Sequence, residues 1–182
     1  MRQHGWAFFL LALFATPVQA GRTLTDDSGR TVQLPGPAQR IVALAPHITE
    51  VLYTAGAGDK IVGTVDYSDY PPAARRIPRV GGYSRIDLEA VLALRPDLVI
   101  VWESGNNMAQ ADKLRALGLP VYVSQPNRLA DIARQIERYG ELAGTEATAR
   151  PAAQAFRQRL NALQAAHQGK PKVRVFYQVW KA

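Results

Sequence analysis

From Arg40 onward the chain alternates short apolar runs with helical stretches, and this alternation restricts the fold more than any other feature of the sequence. The runs are Ile41 to Ala45, Ile61 to Val65, Leu98 to Trp102 and Val121 to Ser124. Each is about the length of a strand and apolar at nearly every position, as a strand covered on both faces must be. Between them lie Ile48 to Ala55, Asp87 to Leu94 and Met108 to Leu117, with apolar residues at helical spacing. They close at Gly56, before Pro96 and at Gly118, where helix ends favour such residues. Strand and helix in alternation predict a parallel sheet with helices on both faces, so residues 40–143 are expected to form one α/β, Rossmann-like lobe.

The flanking segments read differently. Residues 1–20 combine a basic start at Arg2, an apolar run from Trp6 to Ala15 and the small-residue ending Val18-Gln19-Ala20. That is the pattern of a signal peptide cleaved before Gly21, and the run is too short to span a bilayer. Residues 21–39 are expected to form an exposed hairpin and linker, with two alternating runs around Asp26-Asp27-Ser28-Gly29 and a stop at Pro35-Gly36-Pro37. A helical pattern from Leu129 to Leu142 is followed, across residues 144–169, by a longer helix with Ala152, Ala155, Phe156, Leu160 and Leu163 on one stripe. Residues 172–182 carry the β-branched and aromatic pattern of a new strand. Because a lone strand buries little, it is expected either to join the first sheet or to open a second, truncated α/β lobe; the second alternative is preferred.

Composition narrows the functional class. The chain contains no cysteine, so the fold rests on its apolar core, and the thiol on which a lipoprotein is acylated is absent. A periplasmic, monomeric protein without a membrane anchor is therefore expected. The formal charge is +7, but the basic residues are scattered, with no base-reading motif or aromatic-interleaved stripe, and a nucleic-acid partner is not expected. The Gly-x-Ser-x-Gly elbow, the phosphate-binding loop, the dinucleotide fingerprint and His-Glu-x-x-His are all lacking, so neither an enzyme nor a cofactor is expected.

Ligands of open parallel sheets bind beyond the carboxyl ends of the strands. There the sequence places His47, then Tyr67 and Tyr70, then Trp102, with Tyr83 on the Gly81-Gly82 loop. Rings in such places either cap the core or line a binding rim, and spacing does not decide between the two. His47, at a helix start that disfavours a proton, is expected to be neutral. It could serve as an axial or metal ligand, although no second histidine stands near it in sequence and no metal site is expected. Asp87 and Glu89 fit an N-cap and a first-turn carboxylate.

Three stretches carry a resemblance that breaks the tie: Arg40-Ile-Val-Ala-Leu-Ala-Pro-His-Ile-Thr-Glu50, Tyr67-Ser-Asp-Tyr-Pro-Pro72, and Asp87 through Trp102. The chain resembles the periplasmic cobalamin (vitamin B12)-binding proteins, within the group that carries iron siderophores, haem and vitamin B12 to ABC importers. The resemblance implies two α/β lobes bridged by one stiff helix, with cobalamin as transported ligand between them. It implies a corrin site lined by Tyr67, Trp102 and, at a position where this branch often has tryptophan, Tyr83. It also implies that Glu89 docks the lobe onto the permease. The alternatives are a ferric-siderophore or haem carrier of the same fold, which His47 and Arg85 favour, and an exported α/β enzyme whose site lies beyond this sequence.

Overall fold

The computed structural model describes residues 21–82 and 85–178. Between Arg22 and His167 the expected strands and helices form within about two residues of their predicted limits, while residues 1–20, read as a signal peptide, lie outside the described residues. After the hairpin strands β1 (Arg22–Thr25) and β2 (Thr31–Leu34) come β3 (Ile41–Ala43), α1 (Pro46–Thr54), β4 (Ile61–Thr64), α2 (Leu88–Ala93), β5 (Leu98–Trp102), α3 (Met108–Ala116), β6 (Val121–Ser124), α4 (Leu129–Ala143) and α5 (Glu146–His167). Short 3-10 helices occupy Gly58–Lys60 and Pro72–Arg76.

The four central strands are parallel in the order β4-β3-β5-β6. Successive residues of a strand point to opposite faces, and here both faces are buried. Ile41, Ala43, Leu98, Ile100 and Tyr122 meet Leu52, Ile136, Tyr139 and Leu142 of α1 and α4 on one side. Val42, Leu44, Val99, Val101 and Val123 meet Val91 and Leu114 of α2 and α3 on the other. This is why these runs are apolar throughout rather than alternating.

Polar side chains fix the ends of the elements. Asp97 accepts hydrogen bonds from the backbone N–H groups of Gln39 (2.7 Å) and Arg40 (2.8 Å), setting the start of β3. The Arg40 guanidinium donates to the carbonyl of Leu94 at 2.6 Å, at the end of α2. In the interior, Tyr139 of α4 donates its hydroxyl to Ser124 Oγ of β6 at 2.8 Å. Burial pushes the Tyr139 hydroxyl far above its ordinary range and that of Tyr122 up to about 12, so both stay neutral.

The hairpin is a correction to the expectation of an exposed appendage. Its turn lies against the outer edge of β6. The buried Asp26 carboxylate accepts from Ser28 N (3.0 Å), Ser28 Oγ (2.7 Å), Arg30 N (2.9 Å) and, across the chain, Val123 N (3.2 Å). Asp27 N donates to Val123 O at 3.0 Å, and Gln125 N donates to the Asp27 carboxylate at 2.7 Å. An open parallel sheet has an edge that must be covered, and here a turn rather than another strand covers it.

Helix α5 packs on α4 where Gly140 faces Ala149; a Cβ on Gly140 would stand 2.2 Å from that of Ala149. A fork of two bonds from Arg157 to Glu137 (2.7 and 2.6 Å) clamps the pair, and this hydrogen-bonded guanidinium holds the Glu137 carboxyl below its usual range. Ala149 and Ala153 are buried, but farther along the apolar stripe emerges, with Leu163 53% exposed. The segment expected as a strand has no regular structure across Lys170–Gln178, and Val173, Val175, Phe176 and Tyr177 are exposed. Among the described residues it pairs with no strand of the first sheet.

Candidate functional site

The strand order places a reversal between β3 and β5. From β3 the chain moves outward to β4, then crosses back so that β5 lies on the other side of β3. Loops leaving two neighbouring strands in opposite directions open a crevice, and ligands of doubly wound sheets bind there. At the carboxyl ends of these two strands stand His47, just beyond β3, and Trp102, the last residue of β5.

Their rings meet edge to face, with centroids 5.1 Å apart and planes at 87°. The helix starts at Pro46, so His47 occupies its first turn rather than preceding it. Trp102 closes β5, and two features set its ring. Asn106 accepts from Trp102 N at 2.7 Å and donates to the carbonyl of Leu44 at 2.8 Å, tying the ends of β5 and β3 together. Gly105 lies under the indole: a Cβ there would fall 1.8 Å from Trp102 Cε3, so only glycine lets the ring lie over that turn. The role of Asn106 was not foreseen from sequence, because an asparagine in a Gly-Asn-Asn loop reads as turn chemistry.

His47 and Trp102 wall one side of a cleft of about 590 Å³, within the usual range for small-molecule sites. Val51 of α1, Ile132 and Ile136 of α4 and Phe156 of α5 supply apolar lining, and Glu50, Thr54, Asn127 and Arg128 supply polar lining. The wall formed by Pro126–Leu129 and α4 was also unforeseen, since it comes to Trp102 only through the β5–β6 pairing.

Burial lowers the His47 pKa below the ordinary value of 6.5, because desolvation penalises the charged ring. The imidazole is therefore neutral at neutral pH, as its helix position predicts. The unfolded chain binds the proton first on acidification, so this increment of stability is full above about pH 6.5 and is lost as pH falls toward the lower folded value. Chemical denaturation at pH 7.5 and pH 5 is expected to show a larger loss for the wild type than for His47→Gln; equal losses would place the titration elsewhere.

Tyr67 lies outside this cleft, on the loop after β4. It is 79% exposed and its φ is 65°, a left-handed conformation in which a bulky side chain is rare. The turn is held from below: Ser68 N donates to Val65 O at 3.3 Å, and the hydroxyls of Thr49, Thr64 and Ser68 run as a buried chain with contacts of 2.7 and 2.8 Å. Arg79 donates to the carbonyl of Ser68 and to the carboxylate of Asp69, each at 3.1 Å. Tyr70, 67% exposed, precedes a cis bond to Pro71. Tyr83 lies outside the described residues. Glu89 is exposed in the first turn of α2, where Asp87 caps the helix by accepting from Ala90 N at 3.0 Å. The structure thus joins His47 to Trp102 and leaves Tyr67 and Glu89 on separate, exposed surfaces. Among the described residues no three potential metal-ligating side chains come together, and no helix is long and apolar enough to cross a membrane.

Residues 41–181 match the family model described as periplasmic binding protein. A vitamin B12-binding protein of Vibrio cholerae is 43% identical over 145 residues, covering 80% of this chain and 52% of the relative. The crystal structure of the periplasmic vitamin B12-binding protein BtuF of Vibrio cholerae superposes with a TM-score of 0.71 at 44% identity, over 73% of this chain and 52% of that one. A periplasmic heme-binding protein from Pseudomonas aeruginosa superposes with a TM-score of 0.65 at 27% identity, over 74% of this chain and 50% of that one. The chain spans about half the length of the relatives it matches. With its parallel sheet, its switch-point cleft and a family match across most of its length, the chain belongs to the periplasmic binding protein family.

Proposed function

We propose that this lobe supplies one wall of a cobalamin site in a periplasmic carrier, and that the carrier delivers the vitamin to an ABC transporter permease without chemical change. The observation that carries the reading is the indole of Trp102, set edge to face against a neutral His47 at the switch point of a chain whose relatives are named vitamin B12-binding proteins. A flat ring on an apolar wall suits a large, flat macrocycle. Each such ring buries about 150–250 Å² on contact. In this reading residues 1–20 direct export, α5 bridges to a second lobe begun by residues 172–182, and cobalamin rests between the lobes on Trp102, Tyr67 and Tyr83. Glu89 is the docking acid; a rim ion pair of this kind contributes about 0.2–1 kcal/mol and mainly sets orientation.

The left-handed Tyr67 supports a binding role. A non-glycine residue in that region costs about 1–3 kcal/mol, and a side chain so exposed recovers little of it by packing. Tyr67→Gly is expected to leave stability unchanged or raise it by about 1 kcal/mol, while weakening cobalamin binding at least tenfold. A stability loss with unaltered binding would assign the ring to the fold instead.

A haem carrier is the second reading, and His47 Nε2 favours it, being buried without a hydrogen-bond partner among the described residues. Yet a nitrogen that buried presents no open coordination face while Trp102 stays in place. Calorimetric titration of the complete mature protein with cyanocobalamin, haem and a ferric hydroxamate separates the readings. One-to-one submicromolar binding of cyanocobalamin alone is expected; binding of haem alone would keep the fold and change the ligand.

A further inference from the structure

Residues 78–82 and 85–87 stand between the two surfaces just assigned and are tied to each other. Thr64 N donates to Pro78 O (3.0 Å) and Val80 N to Thr64 O (2.8 Å), so this segment runs parallel along the free edge of β4. The chain then doubles back, with Gly81 bridged antiparallel to Ile86. Both proposed contact surfaces depend on this small hairpin. Asp66 N, next to Tyr67, donates to Gly81 O at 2.9 Å, and Asp87 N, at the cap of α2, donates to Val80 O at 2.9 Å. Two consecutive carbonyls therefore carry the turn that presents Tyr67 and the helix start that presents Glu89.

One side chain braces the hairpin from outside. Gln110, half-buried on α3, accepts from Ile86 N at 3.2 Å through Oε1 and donates to Ile86 O at 3.0 Å through Nε2. This is the two-bond pairing that a neighbouring strand would offer, supplied by one amide. Gln110 lines the same recess of about 610 Å³ as Gly81, Arg85, Asp87 and Glu89.

We infer that Gln110 is a positioning residue for ligand capture and permease docking alike, holding the Tyr67 rim and the Glu89 helix in fixed relation through Ile86 and its pairing with Gly81. It touches neither partner itself. The assignment rests on the proposed function, because only that reading makes Tyr67 and Glu89 contact residues. A single replacement that removes the amide at constant bulk, Gln110→Leu, loosens both surfaces together, whereas Tyr67→Gly affects ligand alone and Glu89→Gln affects docking alone.

The test uses the complete mature protein, with cyanocobalamin titrated by calorimetry and the permease complex in nanodiscs titrated by surface-bound sensor. For Gln110→Leu both Kd values are expected to rise about tenfold, with the Ile86 amide exchanging hydrogen at least tenfold faster. Gln110→Glu, which keeps the acceptor but loses the donor at neutral pH, is expected to fall between wild type and Gln110→Leu on all three readings, and it decides the matter where the leucine variant does not fold. Wild-type values for both Kd readings, or a change in one alone, would overturn the inference even where thermal stability falls. Failure of the wild type to bind cyanocobalamin and permease would instead overturn the functional reading. In that case fast exchange at Ile86 in the variant would leave the brace as architecture only, and the positioning role would fall too.

Discussion

Trp102→Ala is expected to weaken cyanocobalamin binding by about 2–4 kcal/mol, or roughly 30- to 1,000-fold in Kd. The indole closes β5 at the switch point, faces His47 at 5.1 Å and packs partly on the core beneath. Removing it takes away a flat apolar surface and also frees the His47 ring. Trp102→Phe retains a ring over Gly105 and should lose less than a third of that binding energy. Because the indole also touches the core, thermal unfolding must be followed alongside. The reading requires that the alanine variant remain folded at 25 °C while its Kd rises by that factor. Unchanged affinity would move the ligand away from this wall altogether.

The largest effect on stability is expected at Asp26. Its buried carboxylate gathers four donors, three within its own turn and one from Val123 on β6. Hydrogen bonds to a charged group contribute about 1.5–3 kcal/mol each, and donors left buried without a partner carry a further penalty. These contributions are not additive, and Asp26→Ala is expected to cost at least about 3 kcal/mol in chemical denaturation. Asp26→Asn keeps one acceptor oxygen but puts an NH2, which accepts no hydrogen bond, in place of the other, so its loss should be intermediate. A cost below about 1 kcal/mol for the alanine variant would mean that the hairpin is an appendage after all.

The elements were legible because their signals are local. The period of apolar residues and the placement of Gly56, Pro96 and Gly118 fall within single segments, and the observed strands and helices begin and end within about two residues of them. What brings elements together was not legible. Strand order decides that His47 and Trp102, far apart in sequence, share one crevice, and nothing within either segment encodes that β5 returns to the far side of β3. The same holds for the wall from Pro126 to Ile136, for Asn106 spanning two strand ends, and for Gln110. Each acts through partners that the topology alone supplies. The sequence grouped the aromatic residues at strand ends on one rim, whereas in the structure Tyr67 stands apart from the cleft that His47 and Trp102 line. The hairpin was misread as free because Asp26-Asp27-Ser28-Gly29 has the composition of a solvated turn, and only the pairing with Val123 reveals that one of its carboxylates is buried.

Helix α5 behaves mechanically as a cantilever. Its root is held by the Gly140–Ala149 contact and the Arg157–Glu137 fork, while nearly every residue from Gln158 to His167 is exposed. About 15 Å of rod therefore extends beyond its support. Pro151, inside the clamped part, removes one helical hydrogen bond near the fulcrum. A rod of that length turns each degree of rotation at the root into only about a quarter of an ångström at the tip. In the proposed two-lobed carrier, the aperture beside the crevice is therefore governed by the stiffness of that one joint.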